Sequence, residues 1–137
     1  MPSENNDTLI ISSKQENINS VENYIDRVLK TYSIEDEVYG NVLISVIEGA
    51  NNAIIHGNKC DESKLVKISH HLSENKKSIT FIISDEGLGF DYNNLPDPTA
   101  PENIENLGGR GVFLMKQLTD FTVFQKLGAV VELTFKI

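Results

Sequence analysis

Glu48, Asn52 and His56 recur at intervals of four within residues 45–57, so a helix places all three on one side. Val42, Leu43, Val46, Ile47, Ala50, Ala53 and Ile54 fall on a broad apolar face of the same helix. A solvated second face would be filled with Lys, Arg and Glu. This one holds a single carboxylate, two amides, a His and an intruding Ile55. The residue types suggest a chemistry. An amide oxygen is a neutral ligand suited to Mg²⁺, which prefers oxygen and keeps several of its waters. A carboxylate one turn away can take the proton of a hydroxyl as general base. Glu and Asn are also common surface residues, so on spacing alone a solvated helix face is the simpler account.

Two glycine-rich stretches add to this. Asp85-Glu-Gly-Leu-Gly-Phe90 directly follows an apolar run. A carboxylate at a strand end can accept from an exocyclic amine such as that of adenine, and the glycines let a flat ring approach the backbone. A glycine turn leaving a sheet would read the same way, and Asp-x-Gly-x-Gly alone is a weak motif. Leu107-Gly-Gly-Arg-Gly-Val-Phe113 opens a helical pattern. Backbone N–H groups at a helix N-terminus attract phosphate, and Arg110 can add a charge-assisted contact. The plainer alternative is a hinge followed by a helix. The stretch is neither G-x-x-x-x-G-K-[ST] nor a strand-preceded G-x-G-x-x-G, which excludes the P-loop and Rossmann readings.

The elements that must position these residues follow from periodicity. Residues 1–7 are polar and expected to be loose, and residues 8–13 form a short β-branched strand. Asn19 or Ser20 caps a helix to about Tyr32, with Val21, Tyr24, Ile25, Val28 and Leu29 as its core stripe. The central helix starts at Ser33 or Asp36 and ends at Gly57 by a glycine stop. Residues 64–72 alternate as a strand with Val66, Ile68 and His70 on one side, and residues 78–84 form a central strand. His70 and His71 read as structural. Residues 86–108 hold no element, and a structureless stretch of that length in a small domain marks function or disorder. A helix over residues 109–120 packs through Val112, Phe113, Met115, Leu118 and Thr119. A hairpin across Leu127 and Gly128 closes the chain. Consecutive hairpins predict an α+β two-layer sandwich, with a mixed, mostly antiparallel sheet and helices on one face.

Composition bounds the function classes. A length of 137 residues fits one domain, and 39% hydrophobic with 23% charged residues is ordinary for a globular chain. A net charge of −8 argues against nucleic acid as main partner, while leaving room for a nucleotide or a basic protein. Cys60 is the single cysteine, which suggests a reducing compartment. No run reaches the length of a membrane span and the start lacks signal-peptide character, so a cytosolic protein is expected.

Taken together and in this order, the three stretches resemble the Bergerat ATP-binding fold, and within it the bacterial anti-sigma factor serine kinases. Glu48-x-x-x-Asn52-Ala-Ile-Ile-His56-Gly57 is similar to their N-box. Asp85-Glu-Gly-Leu-Gly-Phe-Asp91 is similar to their first glycine box, and Gly109-Arg-Gly-Val-Phe-Leu-Met115 with Asp120 to their second. The resemblance spans nearly the whole chain and implies a set of roles. Glu48 would be the catalytic base and Asn52 the Mg²⁺ ligand. Asp85 would accept the adenine amine, with Gly87, Gly89 and Phe90 beside the base. Gly108, Gly109, Arg110, Gly111 and Val112 would lie at the phosphates under a lid of residues 92–108. His56 matches the motif, although a packing or supporting role accounts for it slightly better than direct phosphate contact does.

The resemblance further implies a cytosolic serine/threonine protein kinase that phosphorylates an anti-anti-sigma antagonist of the STAS type and sequesters a sigma factor or an equivalent regulatory protein. A homodimer is compatible with it. The alternative is a non-catalytic module in which nucleotide controls partner capture. Glu48 favours the kinase, because a pure binder needs no base there. An ATPase or histidine-kinase piece fits less well, because no helix with a phospho-accepting His precedes the domain and no transducer domain follows it.

Overall fold

Alternating burial sets the sheet. In one strand Val66, Ile68 and His70 are buried while Leu65, Lys67 and His71 are exposed, and in another Val131, Leu133 and Phe135 are buried in turn. The computed structural model describes residues 8–87, 107–126 and 129–137. Along them run β1 (Leu9–Ser12), a 3-10 turn (Gln15–Asn17), α1 (Ile18–Thr31), α2 (Asp36–Asn52), β2 (Leu65–Leu72), β3 (Ser78–Ser84), α3 (Leu107–Leu118), β4 (Phe121–Gln125) and β5 (Val130–Lys136). The expected lid (92–108), Gly89, Phe90, residues 1–7 and the hairpin tip at Leu127 and Gly128 lie wholly or largely outside the described residues.

The strands form one five-stranded sheet in the order β1-β2-β3-β5-β4. The α+β sandwich is therefore as expected, with one refinement: all four pairings are antiparallel, rather than mixed. β5 lies between β3 and its own hairpin partner β4, which puts β4 at the edge. Register aligns Ile68, Ile83, Val131 and Phe124 in one row across four strands, with His70, Phe81 and Leu133 in the next. These rows face the helices.

The stripe Val21, Tyr24, Ile25, Val28 and Leu29 of α1 is buried as its spacing requires. α2 opens with Asp36 and Glu37 in its first turn, where negative charge complements the helix dipole. Its residues Val42, Val46 and Ala50 are fully buried. At Gly49 the helix lies so close to the sheet that a Cβ would overlap the tip of Ile83 and come within 3.4 Å of Met115 Sδ. Among the packing residues expected of α3, Met115 is buried to 1% exposure but Phe113 is 36% exposed, so Phe113 is a surface residue. Two positions apart on a helix, the two side chains point in different directions, and only one can meet the sheet. Among the described residues no helix is long and apolar enough to cross a membrane.

One polar group is built into the core between α1 and the sheet. His70, 3% exposed, is surrounded by the rings of Tyr24, Tyr32 and Phe81 at centroid distances of 5.7–6.0 Å. Its Nδ1 is 2.7 Å from the Tyr24 hydroxyl. A polar group this deep is stable only when bonded. Tyr24→Phe removes that bond with little change in shape. It is expected to lower the unfolding free energy by about 1 kcal/mol, read as a lower urea midpoint at unchanged slope. An unchanged midpoint would show that the bond contributes nothing.

Candidate nucleotide site

The helical path of α2 does not stop at Asn52. It continues through one π turn, Ala53–Gly57, in which Asn58 N–H donates to the Ala53 carbonyl at 2.8 Å. Such turns are uncommon and frequently sit at functional sites. The glycine stop expected at Gly57 is corrected here. Gly57 is buried inside the turn and is not left-handed; Lys59 and Cys60, with φ of 53° and 59°, make the exit. A glycine is needed at 57 for a different reason, which is close approach. A Cβ at Gly57 would overlap the Asp85 carboxylate, and a Cβ at Gly87 would overlap the Gly57 carbonyl.

That contact fixes Asp85 beside the end of the central helix. Asp85 N–H donates to the Ala129 carbonyl at 2.9 Å, and Asp85 Oδ1 accepts from Gly87 N–H at 2.7 Å. Burial pushes the carboxyl above its ordinary value of 3.8, with the Gly87 N–H and then the Lys64 charge pulling in the opposite direction. Asp85 and Asn52 line one narrow cleft, walled by Ala53, Ile83, Met115 and Val131. The cleft has room for about one water, and the carboxylate at its edge offers an acceptor to an amine at its mouth.

Asn52 is 7% exposed, and its Nδ2 has no hydrogen-bond partner among the described residues. The nitrogen and oxygen of an amide can be exchanged by a half-turn, so the same position can present an oxygen. Unmatched buried polar atoms are rare and costly, so this amide is open to a partner from the cleft. Glu48 is half-buried one turn earlier and His56 is exposed. The three residues aligned by sequence spacing thus occupy three different environments, and Asn52 alone joins Asp85 in the cleft. Gly108, Gly109, Arg110, Gly111 and Val112 fall in the first turns of α3, which starts two residues earlier than expected.

Sequence reasoning did not bring Gly49, Ala129 and Val131 to the site. Gly49 carried a signal, since a glycine inside a helix among good helix formers marks a close approach. Nothing in the sequence announces that β5 borders Asp85.

The family model described as histidine kinase-like ATPase domain matches residues 11–135. An anti-sigma F factor of Clostridium perfringens is 41% identical over 61 residues, 44% of this chain and 41% of that protein. A serine-protein kinase RsbW of Staphylococcus epidermidis is 32% identical over 98 residues, 66% of this chain and 60% of that protein. The matched region therefore spans less than two thirds of either relative.

The raised carboxyl has a consequence for stability. Its folded pKa lies above the unfolded one, so the folded state retains the proton longer, and stability falls as pH rises from 3.8 through the raised value. At neutral pH the ionised carboxylate is therefore a destabilising element. Asp85→Asn keeps an acceptor for Gly87 N–H and removes the charge. The variant is expected to melt no lower than the parent at pH 7, with any advantage shrinking as the pH falls through the raised value and gone below about pH 4. A clearly lower midpoint at pH 7 would contradict the burial of charge at Asp85.

Proposed function

Because this chain belongs to the histidine kinase-like ATPase domain family, we propose that it binds ATP and transfers the γ-phosphate to a serine or threonine of a protein partner. The observation that carries the reading is the pairing of a half-buried carboxylate, Asp85, with an unmatched buried amide, Asn52, across one apolar cleft. Asp85 accepts the adenine amine at the mouth of the cleft, whose apolar walls are Ala53, Ile83, Met115 and Val131. The backbone N–H groups at the start of α3, with Arg110, take the phosphates.

The unmatched Asn52 amide fits a Mg²⁺ ligand, because that ion uses few protein oxygens and completes its shell with phosphates and water. Bound there, the ion supplies charge neutralisation across the phosphates. Glu48, one turn from Asn52, holds the proton that the partner's hydroxyl releases. The hydroxyl oxygen bonds to the γ-phosphorus as the bond to the bridging β,γ-oxygen breaks, and ADP leaves. No phospho-enzyme forms, and rate enhancement comes from positioning and charge stabilisation.

The name of the first relative supports a place in anti-sigma regulation, and that of the second supports a serine-protein kinase. In that reading the phosphorylated partner is a STAS-type anti-anti-sigma protein, the sequestered one is a sigma factor or equivalent regulator, and both meet this chain in the cytosol, where it acts as a monomer or homodimer.

The test is transfer from γ-labelled ATP with Mg²⁺ to the antagonist encoded nearby. Glu48→Gln is expected to reduce transfer by about 100-fold or more while ATP affinity stays within about twofold. Stable ATP-dependent capture of the partner by the parent chain, without transfer, would instead establish a binding module. Asp85→Asn is expected to weaken ATP binding by more than about 1 kcal/mol, the scale of a lost charged hydrogen bond. An unaltered dissociation constant would remove Asp85 from the site.

A further inference from the structure

Asn58 is the first residue after the π turn and is 1% exposed. Its side chain uses both polar atoms. Nδ2 donates to Ser13 Oγ at 2.9 Å and to the Leu65 carbonyl at 3.0 Å, and Oδ1 accepts from Glu86 N–H at 2.8 Å. Its backbone N–H closes the π turn on Ala53. Ser13 Oγ in turn donates to the Lys64 carbonyl at 2.8 Å. One amide thus joins the exits of β1 and β3 and the entry of β2 to the end of the central helix. It does not line the cleft itself.

The bond to Glu86 is the informative one. The N–H of Glu86 and the carbonyl of Asp85 belong to a single rigid peptide plane. Holding that N–H fixes the rotation about the Cα–C bond of Asp85, and with it the direction in which the chain leaves Asp85 towards Gly87. Gly87 N–H is the group that binds Asp85 Oδ1. An asparagine is required because the position needs two donors and one acceptor on one short side chain. Aspartate has no donor, serine has a single one, and glutamine is longer by a methylene.

We propose that Asn58 is a positioning residue for base recognition, holding the Asp85–Gly87 turn so that the carboxylate meets an adenine amine at a fixed orientation. The inference rests on the nucleotide reading above and identifies the device by which that site selects its base. It contributes nothing to binding the triphosphate.

The test compares ATP with inosine triphosphate, which carries a carbonyl where adenine carries its amine. The parent is expected to prefer ATP by about tenfold or more, because a site built to accept a hydrogen bond rejects a ligand that cannot donate it. Asn58→Ser, which cannot reach Glu86 N–H, is expected to lose most of that preference by weakening ATP, with inosine triphosphate affinity held within about twofold. Asn58→Asp keeps the acceptor for Glu86 and is expected to retain the preference, even where it melts lower. Equal weakening of both nucleotides in Asn58→Ser, or failure of Asn58→Asp to differ from it, overturns the proposal. A parent that selects ATP together with an Asn58→Ser variant that still does so also overturns it, and leaves the adenine reading intact. A parent that binds both nucleotides equally overturns the adenine reading and this inference with it.

Amide exchange at Glu86 in the unaltered chain needs no variant. That N–H is expected to be protected although its residue is exposed, and to slow further with ATP but not with inosine triphosphate. Free exchange would refute the proposal even if Asn58→Ser fails to fold.

Discussion

Where the π turn meets the turn after β3, main chain rests on main chain, and neither Gly57 nor Gly87 has room for a side chain. The rest of the cleft takes its geometry from this contact. It brings together the end of a helix and the end of a strand that are remote in sequence, and it closes one side of Asp85 to water. The carboxyl rises above its ordinary range for that reason, and the neighbouring N–H of Gly87 only partly offsets the burial. A wider gap, with side chains at 57 and 87, would admit water to the aspartate.

The sheet makes the contact possible by its strand order. β5 enters between β3 and β4, so the Ala129 carbonyl can hold Asp85 N–H and Val131 can form a wall of the cleft. The helix on the other side sits low because of Gly49, which brings Asn52 and Ala53 to the same depth. The cleft therefore depends on closure of nearly the full chain, from the central helix to the final hairpin, rather than on any one of the three motifs.

Which parts of this were legible follows from what burial imprints on a sequence. One-sided packing stamps a period on residues 18–31 and 65–72, and there the stripe of α1 and the face of β2 were read residue by residue. Burial imprints no record of neighbours. The insertion of β5, the fully antiparallel pairing and the border it shares with Asp85 are long-range facts. The π turn was invisible because Gly57 looks the same whether it ends a helix by a left-handed residue or clears space for a carboxylate. Asn58 was invisible because an asparagine in a polar loop reads as solvent-facing. Phe113 was misjudged because its spacing in α3 allowed two helix faces. Of the residues assigned by resemblance, Asn52, Asp85 and Gly87 are brought to one place, whereas Glu48 and His56 differ from them in exposure.

The unmatched amide of Asn52 and the half-buried carboxylate of Asp85 carry a consequence for the lifetime of the protein. Both groups penalise the folded chain and neither penalises the unfolded one. A ligand that supplies a partner to each therefore shifts the folding equilibrium by its ratio of concentration to dissociation constant. The population open to proteases would then track the supply of that ligand.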